Sequence, residues 1–194
     1  MNFLAHIALS GADPEIAIGN FIADSILPKE RKLLSKEMQR GIALHHLIDE
    51  FTDSHKNFKN TVQLLRPSLK KYAPVAADVF YDHFLAKNFQ KYFAHQSLKE
   101  FTKDFYSSIE HHLNELPGKG RELATYILQY DWLNMYATTD GLHTILCQMS
   151  KRTRFESNLD KAIVQLKDHY EEINQDFQQL FPELIQHCKN FLRN

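Results

Sequence analysis

Cysteine is almost absent: Cys147 and Cys188 are the only two thiols among 194 residues. They have no paired spacing, which leaves no disulfide framework and no thiolate zinc finger. The pattern suits a reducing compartment, so a cytoplasmic location is expected. Breakers are scarce as well. Six glycines and six prolines are too few for a many-turned β architecture and favour long uninterrupted helices. An excess of one charge is missing too: 23 Lys+Arg against 24 Asp+Glu give a formal net charge of -1, so no global field argues for nucleic acid or an anionic membrane surface. No stretch approaches the roughly 18 apolar residues of a spanning helix. The opening MNFLAHIALSGA lacks the basic region of a secretory signal, and a histidine interrupts its apolar run. The expectation is a chain that neither crosses nor enters a membrane.

With 43% hydrophobic and 24% charged residues, the chain has an ordinary globular composition and a length that suits one domain, residues 1–194. Its apolar spacing is helical almost throughout and predicts helices at about 2–10, 14–27, 35–62, 73–94, 97–115, 119–135, 138–149 and 156–191. Asp13, Pro14 and Glu15 form a good helix start: a cap, a proline in the first turn, and an acid on the positive end of the dipole. Pro28, Pro67, Pro74 and LPGKG at 116–120 punctuate the remainder, and Pro182 is expected to kink or break the last helix. Repeats, low-complexity segments and linkers are not seen. The fold class predicted is all-α, a single compact helical domain.

One helix is unusually crowded. GIALHHLIDEFTDSHKNF, residues 41–58, puts Leu44, Leu47, Ile48, Phe51 and Phe58 on its apolar side. His45, Asp49, Thr52 and Asp53 flank that side within about 100° of one another. The i, i+4, i+8 spacing of His45, Asp49 and Asp53 lets three polar side chains converge beside the helix, as a metal or phosphate network needs. A solvated face with local ion pairs is the equal alternative, and His46, Glu50 and His55 lie further round as surface residues. Elsewhere acids sit on apolar faces. Asp82 projects with Val75, Val79, Ala86 and Phe89, Asp78 lies near Leu85, and Asp24 lines up with Ala17, Asn20, Phe21 and Leu27. A buried carboxylate without a partner would cost several kcal/mol, so each needs one, an arginine or a backbone cap being the bland choice. His6, His45 and His83 are the natural counterparts. Histidine nitrogen with carboxylate oxygen and no thiolate suits Mn²⁺, Fe²⁺, Zn²⁺ or Mg²⁺. The Glu-x-x-His pairs of a ferritin-like di-iron bundle are absent.

MNFLAH at the start, GNFIAD (19–24), GIALHHLIDEFTD (41–53), DVFYDHFLA (78–86) and, more loosely, MSKRTRF (149–155) together resemble the acyl carrier protein phosphodiesterases, also called acyl carrier protein hydrolases. The resemblance covers most of the chain in the right order. It implies hydrolysis of the phosphodiester that joins 4'-phosphopantetheine to a serine of holo acyl carrier protein, returning the apo form. It also implies a divalent cation, typically Mn²⁺, with Mg²⁺, Fe²⁺ or Zn²⁺ as alternatives, and a distant likeness to the all-helical HD-type metal phosphohydrolases. The positions matching the family's motifs are His6, Asp24, His45, Asp49, Asp53, Asp78, Asp82 and His83. Of these, Asp24, His45, Asp82 and His83 are expected as metal ligands, with His6, Asp49 and Asp78 as supporting or proton-transfer groups. Asp53 is equally a cap or hydrogen-bond partner.

Acyl carrier proteins are in general small, acidic and helical, so a neutral chain must offer them local positive charge. PKERKLLSK (28–36) and KRTR (151–154) are the candidate segments, with Arg152 and Arg154 preferred as substrate-binding residues. Short basic runs are more often plain solvated surface. Trp132 and Tyr136 are expected in the core or along a pantetheine channel. Two other functions stay open at this point: an HD-like hydrolase of another small phosphoester, and a carrier-binding protein with no catalysis and a purely structural polar core.

Overall fold

The computed structural model describes residues 1–193; Asn194, the last residue of the expected domain, lies outside the described residues. Thirteen α-helices are seen among them: α1 (Phe3–Ala8), α2 (Pro14–Ile22), α3 (Pro28–Arg31), α4 (Lys36–Ser54), α5 (Lys56–Leu69), α6 (Ala73–Lys87), α7 (Phe89–Tyr92), α8 (Leu98–His112), α9 (Gly118–Tyr130), α10 (Trp132–Met135), α11 (Thr139–Arg152), α12 (Ala162–Asp168) and α13 (Tyr170–Arg193). The described residues contain no strand, so the all-α expectation stands. None of their helices is long and apolar enough to cross a membrane.

Several expected helices are divided, and the divisions have local causes. The run expected over 35–62 is broken at His55, whose extended backbone (ψ 135) ends α4. The Nδ1 of the same residue accepts from the Asn57 N–H at 3.2 Å and so starts α5. Asp131 adopts a left-handed conformation (φ 48, ψ 43) and separates α9 from α10. The expected effect of Pro182 is not seen: α13 passes through it uninterrupted. Its apolar face, including Ile173, Phe177, Phe181 and Leu184, is buried against α4, α5 and α6. That packing outweighs a proline cost of about 3 kcal/mol.

The contact between α2 and α4 positions the site. Asp13 caps α2 through the N–H groups of Glu15 and Ile16, and Ser35 caps α4 through that of Met38. The two helices then cross with their backbones touching. A Cβ on Gly19 would fall onto the carbonyl of Met38, and one on Gly41 onto the carbonyl of Ile16 and the nitrogen of Asn20. Both glycines are therefore required by close approach. α1 lies across α2 and α6, placing His6 over the same crossing.

Candidate active site

His6 on α1 and His45 on α4 stack face to face, with ring centroids 4.1 Å apart and planes 19° from parallel. Asp49, one turn beyond His45, reaches both: its Oδ1 is 3.2 Å from His6 Nε2 and its Oδ2 is 3.1 Å from His45 Nε2. Asp24, in the 3₁₀ turn that follows α2, brings Oδ1 to 3.3 Å from the same His45 nitrogen. Among the described residues, one group could hold a metal ion: the donor atoms of His6, His45 and Asp49 lie within 4.8 Å of one another.

Both rings are fixed from behind by one residue, Asn20. Its amide nitrogen donates to the His6 carbonyl at 2.8 Å and to Ser10 Oγ at 2.9 Å. That carbonyl can only accept, so the amide must be oriented with Oδ1 toward His6 Nδ1, 2.9 Å away. The main-chain carbonyl of Asn20 in turn accepts from His45 Nδ1 at 2.9 Å. Each Nδ1 therefore carries a proton, and each Nε2 is left to face Asp49. His45 Nε2 is buried, yet neither carboxylate beside it stands in hydrogen-bond geometry. An orphaned nitrogen, a second imidazole and carboxylate oxygens aimed at a common point fit a divalent cation held by nitrogen and oxygen.

The electrostatics of the cluster are split between the rings. Burial drives His6 down to about 4, and the neighbouring His45 adds to that drop although Asp49 opposes it. Burial would lower His45 as well, but Asp24 and Asp49 raise it to about 9. Asp49 resists the upward push of burial and is held well below its usual range by the two imidazoles. One proton thus occupies the metal-free site at neutral pH, on His45. In the metal-free protein this gives stability that is complete below about pH 6.5 and is lost as pH rises toward 9. A metal competes for the same nitrogen, so its uptake at pH 7 should release about one proton. Apparent affinity should rise about tenfold per pH unit from pH 6 to 8. Titration calorimetry in buffers of different ionisation enthalpy measures both; a pH-independent affinity would contradict the assignment.

A cavity of about 490 Å³ opens over the cluster. Its polar wall comprises His6, Asp24, His45, Asp49, Asp53 and Asp78, and Trp132, Met149 and Arg152 contribute other walls. Arg152 is held over the rings of Tyr126 and Trp132 at 4.7 and 5.9 Å. This arrangement orients the guanidinium of the exposed Arg152 without neutralising it. Asp78 lines the cavity, with Oδ1 2.7 Å from the α-ammonium of Met1.

Two expected ligands are placed elsewhere. Asp82 is fully buried and accepts from the backbone N–H groups of Asn2, Leu4 and Ala5 at 3.3, 2.7 and 3.3 Å. It closes the N-terminus of α1, and so holds His6 in position through the helix rather than by contact with the cluster. Burial pushes its carboxyl up to about 7, against the pull of the ammonium and the three N–H groups. His83 Nδ1 donates to the Tyr136 carbonyl at 2.7 Å, and its ring packs against Phe84 and Tyr170. Its neighbourhood is core and lowers its affinity for a proton through burial. Neither residue lines the cavity. Asp82→Ala should accordingly cost about 2–4 kcal/mol in urea unfolding, by orphaning buried N–H groups. Metal affinity of the folded fraction should stay within about tenfold of wild type, well short of the loss expected for a ligand.

Arg154 is exposed and lies outside the cavity, over the ring of Phe155 at 5.6 Å. Sequence reasoning missed Asn20 as a working residue. The available signal was its position as the sole uncharged polar residue in the apolar run IAIGNFIA.

Comparison with known proteins agrees with the motifs. The family model described as acyl carrier protein phosphodiesterase matches residues 1–184. A protein of that name from Photorhabdus laumondii is 30% identical over 98% of this chain and 96% of its own length. Its namesakes from Pectobacterium atrosepticum and an Enterobacter species are each 28% identical, over 97% and 98% of this chain and 98% of their own lengths. No solved structure matches. With the family model spanning residues 1–184, a range that includes the paired imidazoles and Asp49, the chain belongs to the acyl carrier protein phosphodiesterase family.

Proposed function

We propose that this protein hydrolyses the phosphodiester between 4'-phosphopantetheine and the serine of holo acyl carrier protein, releasing apo carrier and 4'-phosphopantetheine in the cytoplasm. The observation that carries the reading is the convergence of His6, His45 and Asp49 on one point in a cavity that also holds an unneutralised arginine. A phosphodiester repels nucleophiles by its charge, and a divalent cation at that point would supply Lewis-acid relief of it. Mn²⁺ is the favoured ion, since the donor set has no thiolate and the family resemblance points to it.

The chain's own residues have separable tasks in this reading. His6, His45 and Asp49 hold the cation, and Asp24, exposed at the open side, is a further donor. Asn20 fixes both imidazoles. Arg152 binds the non-bridging phosphate oxygens from its aromatic seat, where a planar fork matches them in pairs. Trp132 lines the path of the pantetheine arm. Asp78, close to the cluster but bound to the α-ammonium, orders the cavity wall. The reaction consumes one water: its oxygen bonds to phosphorus, the bond to the serine oxygen breaks, and the serine leaves protonated.

Mass spectrometry of purified holo carrier tests the reading. Loss of the 4'-phosphopantetheine mass with Mn²⁺, and none with chelator, is expected. An intact holo carrier in the presence of folded, metal-loaded protein would sink it.

A further inference from the structure

Between Asp53 and Asp78 the sequence has no acid and carries Lys56, Lys59, Arg66, Lys70 and Lys71; between Asp140 and Glu156 it again has none and carries Lys151, Arg152 and Arg154. A chain of net charge -1 has thus concentrated eight cations in two acid-free stretches far apart in sequence. The fold brings the stretches together at the cavity. Pro74 and Val75 line it from one stretch, Met149 and Arg152 from the other. Tyr72 OH donates to the Phe155 carbonyl at 3.5 Å, and Lys71 Nζ stands 4.1 Å from the centre of the Phe155 ring.

Two features make this rim more than a scatter of lysines. Phe155 is 59% exposed and lies between Lys71 and Arg154, an apolar ring set among cations. A shallow groove of about 560 Å³ continues from the cavity through Asp53 and Pro74 and is flanked by Lys59, Gln63 and Arg66. Among the described residues, none of the eight cations has a carboxylate within salt-bridge distance. The other basic segment, 28–36, differs: Glu30 and Glu37 interrupt or border it, Glu30 is spent on the Leu27 N–H at 2.9 Å, and Glu37 pairs with Arg40 at 3.7 Å.

We propose that the rim formed by residues 56–75 and 151–155 is the docking surface for an acidic helical carrier protein, with Phe155 as its apolar anchor and the phosphodiester arm entering the adjoining cavity. The proposal rests on the hydrolase reading above. Charge complementarity of this kind steers encounter and fixes register, while a buried aromatic at the centre supplies holding energy. The other basic segment is left outside the interface.

The test is steady-state hydrolysis of holo carrier by the full-length protein and by two variants, the triple reversal Lys59→Glu/Lys71→Glu/Arg154→Glu and the single Phe155→Ala, with folding checked by circular dichroism. The triple reversal should raise KM for the carrier about thirtyfold or more while kcat stays within about twofold, and Phe155→Ala should raise KM about tenfold. Wild-type KM should climb with salt between about 0.05 and 0.5 M, and that of the triple variant should be nearly flat. Unchanged KM in both variants, with the wild type active, would overturn the docking surface and leave the hydrolase intact. A metal-loaded wild type that leaves holo carrier uncut would overturn both.

Discussion

Replacing Asp49 by asparagine should abolish metal binding and lower kcat/KM by about 10³-fold or more. Among the described residues, Asp49 is the one carboxylate that touches both imidazoles, at 3.2 and 3.1 Å. Asparagine preserves shape and removes the charge that gathers the three donors. If the cation proposed above is held there, Lewis-acid stabilisation of several kcal/mol would be lost with it, and each 1.36 kcal/mol is a factor of ten in rate. A second readout makes the result specific: without Asp49, His45 loses one of the two carboxylates that raise it, and its titration should move down from about 9. Mn²⁺ titration, rate measurement and histidine NMR on the same variant check the three expectations. Retained metal affinity with lost rate would instead make Asp49 a proton-transfer group, as the sequence had led us to expect.

Asn20→Leu should produce the other large effect, by a different route. The leucine matches the volume but cannot accept from His6 Nδ1 or donate to the His6 carbonyl and Ser10. His45 keeps the shorter bond from its Nδ1 to the main-chain carbonyl at position 20, 2.9 Å, and loses only the longer contact with Asn20 Oδ1 at 3.2 Å. The variant therefore unlocks one ring of the pair. His6 is expected to shift toward the tautomer protonated on Nε2, where it can donate to Asp49 and no longer bind a cation. Loss of a supporting partner of this type typically weakens metal binding 10- to 100-fold. Orphaning buried polar groups should in addition cost about 1–3 kcal/mol of stability. Long-range nitrogen–proton NMR distinguishes the tautomers directly. A His6 that keeps its tautomer while activity falls would show that Asn20 acts only through packing.

The sequence carried the all-α fold and the chemistry of the site further than its geometry. His45 and Asp49 were legible because i, i+4 spacing on one helix fixes their relation whatever the tertiary structure. His6 and Asp24 were legible as polar residues in apolar surroundings, which must converge on something. The same rule, applied to Asp82 and His83, led to ligands where the structure has a helix cap and a core hydrogen bond. A buried carboxylate is equally satisfied by N–H groups or by a metal, and only the position of α1 decides between them. Asn20 was visible as an interruption but carries no charge, so nothing local marked it as the residue that orients two rings. Arg152 could be proposed from charge; its seat on Tyr126 and Trp132 joins α9, α10 and α11 and has no signature in sequence spacing.

Gly19 and Gly41 have a consequence for anyone who modifies this protein or searches for others like it. Helical glycines are ordinarily the first positions chosen for thermostabilisation, since alanine is better by about 1 kcal/mol in a helix interior and restricts the unfolded chain. Here the same exchange would push α2 off α4 and carry Asn20 away from His45, so a heat-resistant variant should be sought at exposed positions. For sequence searches the pair acts as a filter that the histidines and aspartates cannot replace. A protein that keeps every one of those polar residues but has side chains at both glycine positions has kept the spelling of the motif and lost the distance that gives it meaning.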